Sequence, residues 1–144
     1  MNRQKITINV LRYIMSFVFL WAFIDKVFGL GFSTKSADAW IHGGSPTHGF
    51  LAFATQGPLA GMFHYLATFS GTIDWIFMTI LLFVGLTLAI NKYVKWGCLV
   101  GCIMLFLMYL SLLLPATNPI IDEHIVYILV LMIIAFGSEE KAIV

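Results

Sequence analysis

Charge is scarce in this chain. Eight Lys or Arg and seven Asp or Glu stand among 144 residues, for a formal net charge of +1. With no basic stretch either, nucleic acid is excluded as a partner. Cysteine is scarcer still: only Cys98 and Cys102 are present. They are not a CxxC pair, and on the topology derived below they fall near the cytoplasmic end of their span. A membrane thiol oxidoreductase needs reactive cysteines at the outer surface, so that class is excluded and both thiols read as packing residues. No HxxxH, HxxE or Cys/His pattern marks a metal. No haem, flavin or iron–sulfur signature is present. No small-residue cleavage site follows the first apolar run, which is therefore expected to stay as a helix rather than leave as a signal peptide.

What the chain has is apolar surface. It is 60% hydrophobic, with a mean hydropathy of +0.95, far above a soluble domain. The reading is all-α: a single integral membrane domain, a four-helix bundle with spans at about 6–30, 73–90, 96–114 and 119–136. Arg3, Lys5 and Arg12, then Lys92 and Lys95, then Lys141 share one side of that topology, whereas the other side holds only Lys35 in its loops. The positive-inside rule then predicts cytoplasmic termini and an outward-facing connection over 31–71, in a bacterial inner membrane.

The first run, Ile6 to Leu30, organises the rest. Its charge-free part, Tyr13 to Ile24, rises only about 18 Å as a helix, against about 30 Å of hydrocarbon. The bilayer must take in Arg12, Asp25 and Lys26, or some of them. Arg12 leans toward the near interface and is expected to snorkel. Asp25 and Lys26 lean back toward the bilayer middle and are expected to face protein. Adjacent helix residues point about 100° apart, so one should face a cavity and the other a neighbouring helix. Intramembrane ionisable groups mark a functional site. The alternative is an interfacial anchor pair, with Lys26 favourable at a helix C-terminus.

The fourth span is short in the same way. Asn118-Pro119 suits a helix start, and Asp122, Glu123 and His124 must lie in or near the outer interface. Asp122 is therefore the expected partner of Lys26. Glu123 and Tyr127 stand at i,i+4 and are placed to bond each other. Gly97-xxx-Gly101 in the third span suits close helix packing.

The connection over 31–71 is too long to be structureless. Short helices are expected at Ser36 to His42, from Ser45-Pro46 to about Thr55, and from Gly57-Pro58 through Tyr65 or Thr68, lying over the outer mouth of the bundle. Gly43-Gly44-Ser45-Pro46-Thr47 is read either as an anion-binding corner of free backbone N–H groups or as a plain turn. His42, His48 and His64 read as satisfied or solvated side chains.

The runs LWAFIDKVFGLGF, AWIHGGSPTHGFL, GPLAGMFHYLA and NPIIDEHIVYILVL resemble the DoxX/DoxD family of small four-helix bacterial membrane proteins, across nearly the whole chain. The resemblance implies a redox membrane subunit that passes electrons from a small sulfur anion such as thiosulfate to a quinone. On that reading Asp25, Lys26, Asp122 and His124 are the candidate catalytic groups. Trp21, Trp40 and Tyr127 are candidates for a quinone pocket. Arg12, Gly43, Gly44, Ser45 and Thr47 are candidates for the anion. The lipid bilayer and a second subunit or a further copy of the chain are the expected partners. The other reading is non-catalytic: a lipid or small-molecule binder, or an assembly subunit.

Overall fold

A computed structural model describes residues 3–115 and 120–138. The described residues form helices and no strand. Five α-helices follow in order: α1, Arg3–Phe28; α2, Ala60–Ala67; α3, Ser70–Ile90; α4, Val94–Ser111; α5, Glu123–Gly137. Of these, α1, α3 and α4 are long and apolar enough to cross a membrane. That marks the chain as a membrane protein.

The long helices run alternately up and down. Early in α1, Arg12 reaches Leu88 at the end of α3, and Ser16 donates to the Gly85 carbonyl at 2.8 Å. At the other junctions, Gly97 at the start of α4 lies against Thr87 at the end of α3, and Gly137 at the end of α5 lies against Ile8 of α1. Each helix thus packs antiparallel on its neighbours, in the cyclic order α1, α3, α4, α5. Met15, Phe19, Met78, Leu88, Leu131 and Ile134 are among the side chains that fill the centre. Large apolar side chains such as Phe17, Leu86, Trp96 and Ile133 stay exposed on the outside, the inverse of a soluble surface.

Gly97 explains the closest of these approaches. A Cβ there would collide with the Thr87 side chain, and one at Gly101 would meet Leu131 at 2.9 Å. The two small residues let α4 settle against α3 and α5 together, which is why glycine recurs at this spacing.

One end of the bundle carries the long connection. α1 stops where Gly29 takes φ +64 and its N–H bonds the Asp25 carbonyl at 2.8 Å, a left-handed C-terminal cap. Beyond it come 3₁₀ turns at Ser36–Asp38 and Trp40–His42, a wide π-type turn at Phe50–Ala54, and then α2. Each of the three expected stretches thus carries helical turns in shorter pieces, tighter than α at the first, wider at the second and α-helical at the third. The connection is tied to the bundle as well: the Gln56 N–H donates to the Ser111 carbonyl at the end of α4, at 3.0 Å.

α5 begins at Glu123, with Asp122 as its N-cap accepting from the N–H groups of His124 and Ile125. Asn118-Pro119 and Lys141 lie outside the described residues.

Candidate functional site

Asp25 and Lys26 go separate ways, as adjacent helix residues must. Asp25 is buried and turns to the connection. Its carboxylate accepts the Ser33 hydroxyl at 2.7 Å and the backbone N–H groups of Ser33 at 2.8 Å and Phe32 at 3.3 Å. Three donors satisfy most of an ionised carboxylate, so the group can be buried without a counter-ion. Asp25 thus folds the chain back after α1, and its partner is a turn rather than a helix.

Lys26 lines a cavity of about 260 Å³ beneath the connection. One wall is the stripe Ile73, Ile76, Phe77 and Ile80 of α3; the facing wall is Ile103, Met104, Leu107, Met108 and Ser111 of α4. The α3 stripe and Met104, Leu107, Met108 and Ser111 of α4 are i, i+3, i+4, i+7 sets, which place their side chains on one helix face, with Ile103 at its edge. The roof comes from Pro46, Thr47, Phe50 and Leu51, and α2 closes it with Phe63 and Leu66. Among the described residues, Thr47 and Ser111 are the only ones besides Lys26 that bring polar side chains to the lining.

The roof is fastened by a second buried carboxylate. Asp74 accepts the Thr47 N–H at 2.9 Å and the Thr47 hydroxyl at 2.6 Å. The Ser45 hydroxyl accepts the His48 N–H at 3.0 Å. Gly44 packs its α-carbon on the Asp38 carbonyl, with no room for a Cβ. The Gly43 and Gly44 N–H groups go to the Trp40 and Ala39 carbonyls, each at 3.0 Å, and the Thr47 N–H to Asp74, so these three backbone donors are taken within the fold.

Arg12 corrects an expectation. It does not snorkel: it is buried, and its guanidinium donates to the Leu88 carbonyl and at 3.4 Å to the Ala89 carbonyl. Both belong to the last turn of α3, whose carbonyls have no partner within the helix and carry the negative end of its dipole. Its guanidinium carbon also sits 4.3 Å from the Tyr13 ring centroid. This end is remote from the cavity, so Arg12 and Gly43–Thr47 do not share a site.

The expected Lys26–Asp122 pair is not formed either. Asp122 accepts the His124 and Ile125 N–H groups at 3.0 and 3.3 Å and meets His124 Nδ1 at 2.7 Å. A helix start offers its carboxylate several donors at once, and no long side chain need be ordered to reach it. Glu123 is exposed and makes no bond to Tyr127.

The aromatic candidates scatter. Trp21 stacks on Phe17 at 5.7 Å and meets the edge of Phe32 at 5.1 Å. Trp40 packs edge-on against Trp75 at 4.7 Å. Tyr127 packs against the central core. None of them, nor His124, lines the cavity. His42 Nδ1 meets the Ser36 carbonyl oxygen at 2.9 Å and His48 Nδ1 that of Ala67 at 3.3 Å, while His64 is exposed. Among the described residues no three His, Cys, Asp or Glu side chains converge. A further cleft of about 480 Å³ opens between α4 and α5 beside Lys95, Cys98 and Cys102, where the Cys102 thiol points at the Ile128 carbonyl at 3.8 Å.

The arrangement can hold a small apolar molecule with a hydrogen-bond-accepting head beside Lys26, screened from water by the connection. The chain matches no protein-family model, no curated protein and no solved structure.

Proposed function

We propose that this chain is a four-helix membrane protein of DoxX/DoxD type whose working part is the cavity beside Lys26. α5 has 15 residues, about 22 Å of helix, and crosses with help from its flanks, since it packs antiparallel on both α1 and α4. The connection then faces outward and the lysines of the α3–α4 turn face the cytoplasm, in a bacterial inner membrane. Cysteine labelling should put positions 44 and 92 on opposite sides; labelling from the same side would overturn the topology.

The observation that carries the functional reading is an apolar cavity with one cation in its wall, roofed by a connection fastened by Asp25 and Asp74. Such a site suits a ligand with an apolar body and an electron-rich head. The DoxX/DoxD resemblance makes a quinone the ligand and a sulfur anion such as thiosulfate the electron source, with the chain as one subunit of a redox complex. The test is purification of the full chain from quinone-containing membranes, followed by extraction. The reading expects about one quinone per chain, and much less when Phe77→Trp fills the cavity. It also expects thiosulfate-dependent quinone reduction in membranes that contain the chain and its partner subunit. A folded protein with neither bound quinone nor that activity would end the redox reading.

A further inference from the structure

Lys26 makes no ion pair among the described residues, and the adjacent Asp25 acts on its charge only through space. Its neighbour Asp25 is committed to Ser33 and Phe32, and Asp74 to Thr47. The two hydroxyls in the lining are committed as well. The Thr47 proton goes to Asp74, and the Ser111 proton to the Met108 carbonyl at 2.6 Å. Among the described residues of the lining, Lys26 is therefore the one side chain with an uncommitted donor, and that donor is cationic. A neutral head would accept a hydrogen bond there and leave that charge without a direct counter-ion in an apolar wall.

The cavity also has a side mouth. Ile76 of α3 and Ile103 and Leu107 of α4 line it, yet are 56%, 54% and 49% exposed. Both helices are long and apolar enough to cross a membrane, so the mouth opens where acyl chains would lie. From Ile73 to Ile80 the α3 wall runs about 10 Å. That depth holds a head group and several methylenes, with the rest of a chain passing out between α3 and α4. A head group and the first methylenes of one chain suit a cavity of about 260 Å³.

We propose that the cavity takes a single-chain anionic amphiphile of the fatty-acid carboxylate class, its head on Lys26 and its tail leaving between α3 and α4, in competition with any neutral ligand of the same cavity. The proposal rests on the cavity being the ligand site and departs from a quinone on the charge of the head.

The test uses the full chain in phosphatidylcholine nanodiscs, with empty nanodiscs as background. Binding of radiolabelled palmitate is compared with that of hexadecanol, its neutral isostere, and with that of a short-chain ubiquinone. Palmitate should bind at about one per chain, at least tenfold tighter than hexadecanol, and should displace the ubiquinone. Lys26→Met should remove the preference and Lys26→Arg should keep it. Ile103→Trp with Leu107→Trp, which closes the mouth, should weaken both chains. If palmitate and hexadecanol bind alike to the wild type, the charge inference falls while the cavity reading stands. If the ubiquinone alone binds saturably, the proposal falls and the quinone reading survives. If none of the three does, both fall. The comparison of isosteres on the wild type decides the matter even where a variant fails to fold.

Discussion

Asp74 of α3 receives both donors of Thr47, the backbone N–H at 2.9 Å and the hydroxyl at 2.6 Å. Both residues are buried, and the pair joins the roof of the cavity to one of its walls. The two bonds are separable by mutation. Thr47→Val keeps the backbone donor and the side-chain shape and should cost about 1 kcal/mol. Asp74→Ala leaves a buried N–H and a buried hydroxyl without their acceptor and should cost about 2–3 kcal/mol. Thermal unfolding in detergent orders the two variants, and equal losses would mean that the backbone bond contributes little.

Arg12 makes a contrary demand on ligand binding. It caps α3 at the end away from the cavity, so Arg12→Met should destabilise the fold by about 1–3 kcal/mol through the unpaired carbonyls of Leu88 and Ala89. The affinity of the cavity for its ligand should not change. Arg12→Lys, a point charge without the fork, should recover part of the stability. Lost ligand binding with unchanged stability would return Arg12 to the list of substrate-binding groups.

The contact of Gly97 with Thr87 can be tested against a glycine that packs on nothing. Gly97→Ala should cost about 1–3 kcal/mol by overpacking, and Thr87→Ala should relieve much of that loss in the double variant. Gly61 of α2 has nothing within 4 Å of an added Cβ, so Gly61→Ala should be neutral or stabilise by about 0.5–1 kcal/mol. Similar effects at the two glycines would deny the close α3–α4 approach.

The parts of this structure that hydropathy encodes were readable from the chain. The spans at Ile73 to Ile90 and Trp96 to Leu114 fall on α3 and α4, because long apolar runs declare themselves. The divergence of Asp25 and Lys26 was also readable, since 100° per residue fixes it. Their partners were not. Asp25 is answered by a turn seven and eight residues on, and Asp74 by a threonine 27 residues earlier. Neither spacing has a periodic signature. The cavity was invisible for a related reason: Ile73, Ile76, Phe77 and Ile80 look like any packing stripe, and nothing local says that the facing helix leaves a space. The burial of Arg12 is not legible either, because the direction of a side chain along its own helix says nothing of the free carbonyls at the end of a neighbouring one.

Lys26 separates a structural charge from a functional one. A buried carboxylate such as Asp25, held by three donors, belongs to the fold. Asp25→Ala should cost about 2–3 kcal/mol by stranding the N–H groups of the turn, and it should couple to Ser33→Ala by at least about 0.5 kcal/mol, because the two share a 2.7 Å bond. Lys26 makes no such bond. Replacing a half-buried, unpaired ammonium with Met of similar shape should leave stability unchanged or raise it. Lys26→Met and Asp122→Ala should then add within about 0.3–0.5 kcal/mol, as independent sites do. A double-mutant cycle in detergent measures both couplings on one scale. A strong Lys26–Asp122 coupling would mean that the two charges meet in the membrane-embedded protein, and the cavity would lose its only cation to α5. A neutral or stabilising Lys26→Met that has lost its preference for a carboxylate over an alcohol would identify Lys26 as a charge kept for a ligand.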